Sequence, residues 1–179
     1  MKQKINALEY AGQICSALSK GILLTTGCDD VINTMTIGWG MIGVEWGKPV
    51  FIALVRESRF TREMLRRNKE FTVNVPVGPI DGKILSFCGT KSGRDVDKIR
   101  ALNLTLEEPL EISVPGIKEL PLTLECRVLY TQDQELGNIP DSILARYYPQ
   151  SVDSSFPGSN RDHHIAFYGE IVNAYIITE

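Results

Sequence analysis

Apolar and polar residues follow different rhythms along this chain. Leu8, Ala11, Cys15 and Leu18 recur at helical spacing, which predicts a short helix over residues 6–19 laid on a core. "GILLTTG" (21–27) reads as a strand, Cys28-Asp29-Asp30 as a tight turn, and a second strand resumes at Val31. "KPVFIALV" (48–55) is an unbroken apolar run of strand length, expected to be central and buried on both faces. In "SRFTREMLRRNKEF" (58–71) the period changes. Phe60, Met64 and Leu65 fall on one side of a helix, with Arg59, Arg62 and Arg66 on the other.

Further strands are expected at "FTVNV" (71–75), "PLTLECRVLYT" (121–131) and "HIAFYGEIVNAYII" (164–177). Residues 88–103 read as a Gly-rich loop followed by a short helix from Asp95. Residues 132–162, with three prolines and one helical turn around Ile143-Leu144-Ala145, form a long insertion of the sort that is usually functional or mobile. Strands dominate without a regular strand–helix alternation. This predicts a mainly β protein, a β-barrel with accessory helices, as a single domain over 1–179.

"NTMTIGWGMIG" (33–43) departs from an ordinary strand. Gly38, Gly40 and Gly43 weaken it around the Trp39 indole, a pattern that marks a bulge or a close approach by a ligand or second backbone. Two readings follow: a wall built for something flat, or a barrel corner with a core tryptophan.

Composition narrows the field. Hydrophobic residues make up 43% and charged residues 23%, the ordinary globular range, and a net charge of -3 argues against nucleic acid as a partner. Four scattered cysteines form no C-x-x-C pair. Glu9, Gln13 and Ser16 interrupt the N-terminal apolar positions, so neither a signal peptide nor a membrane span is expected, and a reduced cytoplasmic setting fits both features. Neither G-x-G-x-x-G nor a P-loop occurs.

"RESRFT" (56–61) sits where a strand hands over to a helix, and helix N-termini present unpaired amides and partial positive charge. Arg56, Ser58, Arg59 and Thr61 there compose either a phosphate site or an N-cap serine opening a helix with a solvated basic face. Lys98 is either a second phosphate ligand or a surface lysine. His163 and His164 are the only histidines; as strand neighbours they face opposite ways and cannot chelate one metal, so no metal site is expected. Cys88 has no base at a spacing that would activate it.

These signals occur in one order: "NTMTIGW" (33–39), "GKPVFIALVRESRFTREML" (47–65), "NKEFTVNVP" (68–76), "SGRDVDKI" (92–99), "LPLTLECRV" (120–128) and "HIAFYGEIV" (164–172). In that order the chain resembles the flavin reductase-like family, the FMN-binding split barrels that include the flavoredoxins. The resemblance implies a non-covalently bound FMN lined by Asn33 and by the backbone of Thr34, Met35 and Thr36, with Trp39 at the wall of the flavin site. It assigns Arg56, Ser58 and Thr61 to the phosphate loop, Lys98 to a "DK" pair, and His164 to a histidine near the cofactor, the one candidate catalytic group. It further implies a homodimer with FMN near the interface, NAD(P)H as hydride donor, and a flavin or other small-molecule or protein electron acceptor. The alternative it leaves open is a flavoredoxin-type electron carrier without enzymatic turnover. A lid role for the insertion, with Tyr147, Tyr148 and Phe156, is a further expectation.

Overall fold

A computed structural model describes residues 1–153 and 160–178. It is mainly β, with 40% strand and 26% helix. In chain order the elements are β1 (Lys2–Lys4), a 3-10 turn (Ala7–Tyr10), α1 (Ala11–Leu18), β2 (Ile22–Cys28), β3 (Val31–Ile37), β4 (Gly40–Glu45) and β5 (Lys48–Arg56). Then follow α2 (Phe60–Asn68), β6 (Glu70–Val75), α3 (Gly82–Thr90), α4 (Lys98–Ala101), and the two-residue strands β7 (Leu106–Glu107) and β8 (Gly116–Ile117). The last are β9 (Leu122–Asp133), a 3-10 turn (Leu136–Asn138), α5 (Asp141–Tyr147) and β10 (His164–Ile177).

One antiparallel sheet runs β3-β2-β6-β9-β10-β5-β4, with β1 added to the end of β10. Two-residue turns close two of its hairpins. Asp29 and Asp30 (φ 48° and 61°) join β2 to β3, and Trp46 and Gly47 (φ 53° and 71°) join β4 to β5, the left-handed pairs that match strand twist. Inward positions of the sheet, Ile22, Leu24, Phe51, Ala53, Val55, Phe71, Val73, Leu124, Cys126, Ile165 and Phe167, form one core. A second cluster, Leu23, Cys88, Leu104, Ile117 and Leu120, lies on the other face of β2, where Ile84, Leu85 and Ile99 of α3 and α4 pack against it.

The stretch with three glycines is two strands. β3 and β4 lie at opposite ends of the sheet order, and the chain crosses between them at Gly38-Trp39. Gly40 opens β4 where a Cβ would stand 2.8 Å from the Ile52 carbonyl oxygen and 3.1 Å from the Phe51 ring, so a neighbouring strand is what presses against it.

Four other expectations are corrected. The first helix buries Ala7, Ile14 and Leu18, while Leu8 and Cys15 are exposed, because the 3-10 turn rotates Leu8 off the stripe that an unbroken α-helix would present. β5 is second from the sheet's end, with Phe51, Ala53 and Val55 buried but Ile52 and Leu54 only partly covered. The N-cap of α2 is Arg59, without a side-chain cap, and not Ser58. Cys88 lies in α3 and not in a loop, and the following helix starts at Lys98, capped by Asp97, rather than at Asp95. The insertion carries the expected helical turn, extended to α5; Phe156 lies outside the described residues.

Candidate flavin site

The N-terminus of α2, the middle of β3, the 91–97 loop and the 161–162 segment enclose a cleft of about 640 Å³. Asn33, Met35, Ser58, Arg59, Thr61 and Lys98 all line it. Five basic residues (Arg59, Lys91, Arg94, Lys98, Arg161) face two acidic ones (Asp95, Asp162), so the cleft is cationic on a chain that is acidic overall.

Asn33 is buried in β3, and its amide Nδ2 donates to Thr61 Oγ1 at 2.9 Å. That bond joins β3 to the first turn of α2 and leaves the Thr61 hydroxyl proton available. Asn33 Oδ1 is sealed and has no hydrogen-bond partner among the described residues, an unsatisfied acceptor that calls for a donor. Gly93 lies over it: a Cβ there would run into the Asn33 carboxamide and stand 3.0 Å from the Phe60 ring. The 91–97 loop is held to α2 by Arg94, which donates to the Ser58 carbonyl at 3.2 Å, pairs with Glu63 and covers the Phe60 ring.

Lys98 is 4% exposed, so the surface reading of this residue is overturned. Asp97 caps α4 by accepting from the Arg100 amide at 3.0 Å, and the Lys98 chain turns inward from that first turn. Its ammonium donates to the carbonyls of Thr34 (2.9 Å) and Cys88 (3.0 Å), tying β3 to α3 and leaving a third N–H. Burial lowers its pKa to about 8; the Cys88 thiol opposes the shift and Arg59 adds to it. Burial likewise pushes the Cys88 thiol up to about 11 against the pull of Lys98, which leaves it a poor nucleophile at neutral pH. Thr34 and Thr36 turn their hydroxyls away from the cleft: Thr34 shares a hydrogen bond with Thr25 (3.0 Å), and Thr36 donates to the Leu85 carbonyl (2.6 Å).

Arg56, Trp39 and His164 form a separate cluster beside the cleft. The Arg56 guanidinium donates to the carbonyls of Tyr147 (2.9 Å), Asn160 (3.0 Å) and Asp162 (2.6 Å), so it binds the end of α5 and the last residues of the insertion instead of lining the cleft. Trp39, 36% exposed and therefore no core tryptophan, lies 4.8 Å from the His164 ring at a 37° tilt and meets Tyr147 edge-on at 5.2 Å. Asp162 links the two groups. Its carboxylate accepts the Ser58 amide at 2.8 Å and lies 3.9 Å from Arg56. Burial would raise its pKa, but hydrogen bonds from Ser58 and the Arg56 charge bring it below the ordinary carboxylate value. The two histidines part as neighbours on an extended chain should: His163 faces Asp133 and Glu57, while His164 turns in to Trp39 and Tyr148.

Among the described residues no cluster of His, Cys, Asp and Glu could hold a metal, and no helix is long and apolar enough to cross a membrane. The sequence reading missed Asp162, Gly93 and Arg94, and it gave Tyr148 a lid role without its contact to His164. One signal was available for Asp162: two residues before His164, it shares that residue's side in an extended chain.

The model of the flavin reductase-like domain matches residues 16–179. The chain belongs to that family. A flavoredoxin from Methanosarcina acetivorans, known from an X-ray crystal structure, is 28% identical and superposes with a TM-score of 0.62 over 88% of this chain and 68% of its own. An FMN-binding domain of a flavin reductase-like enzyme from Shewanella baltica OS155 shares the fold at 15% identity, with a TM-score of 0.64 over 98% of this chain and 77% of its own. An uncharacterised protein of Archaeoglobus fulgidus is 30% identical over 125 residues, 70% of this chain and 66% of that protein. The match thus spans just under two thirds of that relative. Family membership makes the architecture a split barrel of the flavin reductase-like type.

Proposed function

We propose that the cleft holds FMN non-covalently and that the protein is an NAD(P)H-dependent flavin oxidoreductase. The observation that carries this reading is the convergence, in one cationic cleft, of an uncapped helix N-terminus, the Ser58 and Thr61 hydroxyls, the buried Lys98 ammonium and the unsatisfied Asn33 Oδ1. A phosphomonoester dianion suits the helix end, the hydroxyls and Arg59. Asn33 Oδ1, sealed beneath Gly93, can accept an N–H or O–H of the flavin only once the 91–97 loop lifts off it. The chemistry of the cleft therefore fits the group. Asp162 already occupies the Ser58 amide, so anion binding at that amide requires the carboxylate to shift or to share it.

FMN, when bound, supplies the two-electron chemistry that accepts hydride from a reduced nicotinamide and passes electrons to a flavin or another acceptor. The chain's residues anchor the phosphate, orient the ring against β3 and exclude water with the insertion. Similarity to a flavoredoxin favours a second reading, an electron carrier that no nicotinamide reduces. The four free thiols support a reduced, cytoplasmic setting.

Anaerobic mixing with NADH or NADPH separates the two readings. Bleaching of the bound flavin within seconds is expected. Reduction by dithionite but by neither nucleotide would replace the enzyme with the carrier. FMN should bind about a hundredfold more tightly than riboflavin, on the scale of one or two charge-assisted hydrogen bonds. Equal affinities would remove the phosphate assignment.

A further inference from the structure

His164 is held in a way that fixes where its proton sits. Its backbone N–H can only donate, and it meets Gln134 Oε1 at 3.3 Å, while the Gln134 N–H donates to the His164 carbonyl at 3.0 Å. The side-chain atom opposite a backbone N–H must be an acceptor, which settles the orientation of the Gln134 amide. The Tyr148 hydroxyl lies 2.7 Å from that same oxygen and must give it its only proton. Only lone pairs of the phenol oxygen then remain for His164 Nδ1, 2.9 Å away, so the hydrogen of that contact belongs to Nδ1.

The rest of the neighbourhood keeps the ring neutral. Burial lowers its pKa to about 4, and the charges of Arg56, Arg59 and His163 add to the shift against the opposing Asp162. A neutral imidazole with its proton on Nδ1 has a bare lone pair on Nε2. Among the described residues nothing donates to Nε2, nor is it one of the sealed unpartnered atoms, which are Asn33 Oδ1, Asn173 Nδ2 and Tyr175 Oη. Among the described residues Nε2 thus has no hydrogen-bond partner, and its ring lies 4.8 Å from Trp39 at a 37° tilt.

We propose that Tyr148 and Gln134 are positioning residues that lock His164 in its Nδ1–H form, making Nε2 a hydrogen-bond acceptor for an N–H or O–H donor on a planar ligand beside Trp39. In this form His164 accepts a hydrogen bond at Nε2 and carries no charge. The lock is a property of the protein alone. The identity of the ligand rests on the oxidoreductase reading, in which the donor is the carboxamide of a reduced nicotinamide.

The decisive measurement is the ring nitrogen spectrum of the full-length chain labelled with 15N-histidine, with His163→Gln assigning the two rings. The lock predicts a protonated Nδ1 and a bare Nε2 at pH 7, unchanged down to pH 5.5. Gln134→Leu withdraws the acceptor, frees the Tyr148 proton to point at Nδ1, and should switch the ring to its Nε2–H form. Tyr148→Phe, which keeps the ring in place, should leave a mixture. An Nε2–H ring in the unaltered protein, titration near pH 6.5, or a Gln134→Leu spectrum identical to the original would each overturn the lock. With the tautomer switched, the KM for NADH should rise about tenfold with kcat less affected. An Nδ1–H ring in a protein that NADH does not reduce would overturn the nicotinamide assignment alone and leave the lock standing.

Discussion

Lys98 ties the cleft's affinity for an anion to pH. In the free cleft its pKa is near 8, and a bound dianion must raise it, so binding takes up a proton wherever the free lysine has lost one. The sign follows: FMN affinity should be flat in this respect below about pH 8 and should fall as pH rises above it, by up to about tenfold per unit. Calorimetry in buffers of different ionisation enthalpy would register the uptake, and Lys98→Met should abolish it. A slope that survives in Lys98→Met would assign the proton elsewhere. Spacing alone left Lys98 between a ligand and a surface residue, because a four-residue helix in a polar loop gives no sign of which way its first side chain turns. The resemblance put it near the cofactor; the two carbonyls that hold its ammonium supply the physical reason.

At the scale of elements, Arg56 fastens the insertion to the barrel. Its fork serves three carbonyls from two separate segments, a task a lysine ammonium cannot repeat in the same plane. Arg56→Lys should therefore speed hydrogen exchange across α5 while β6 and β9 keep their protection, at a cost of about 1–3 kcal/mol for carbonyls left short of a donor. Uniform loosening of the barrel would show that the arginine supports the core instead. Strands were legible wherever apolar residues run or alternate, as in β5, β9 and β10, and the Asp29-Asp30 turn announced the first hairpin. α3 was not: only Cys88 is fully buried in it, and Ile84 and Leu85 cover the second cluster without a regular stripe. β1 is too short to carry any period, and it exists because the end of β10 offers it an edge. The break at Gly38-Trp39 was visible as weakness but not as a change of partner, since sequence period does not say which strand lies alongside.

For the whole molecule, the outer face of the sheet is the unusual feature. Met41, Ile52, Tyr168 and Tyr130 stand opposite one another in register across β4, β5, β10 and β9. Trp46 joins Tyr130 and Tyr168 at 6.4 and 6.2 Å, and Leu129, at the bulge beside Tyr130, is also exposed. An apolar row crossing four strands is more than scattered surface hydrophobics, and it supports the proposed homodimer. Sedimentation at micromolar concentration should give about twice the 20.0 kDa of one chain, and Tyr130→Asp with Tyr168→Asp should return it to one. A monomer in the unaltered protein would remove the claim.

The place of β10 in the sheet bears on how the protein is made. It is synthesised after every other described strand, yet it lies between β9 and β5 and holds those two halves together. Until the ribosome has delivered it, β5 and β9 each present an open edge rich in apolar side chains. Such edges pair readily with other chains, so the nascent protein is at its most vulnerable just before β10 emerges. A stalled or truncated chain lacking β10 is left with two separate pieces, β3-β2-β6-β9 and β5-β4, each with an open edge, and its fate falls to chaperones and proteases.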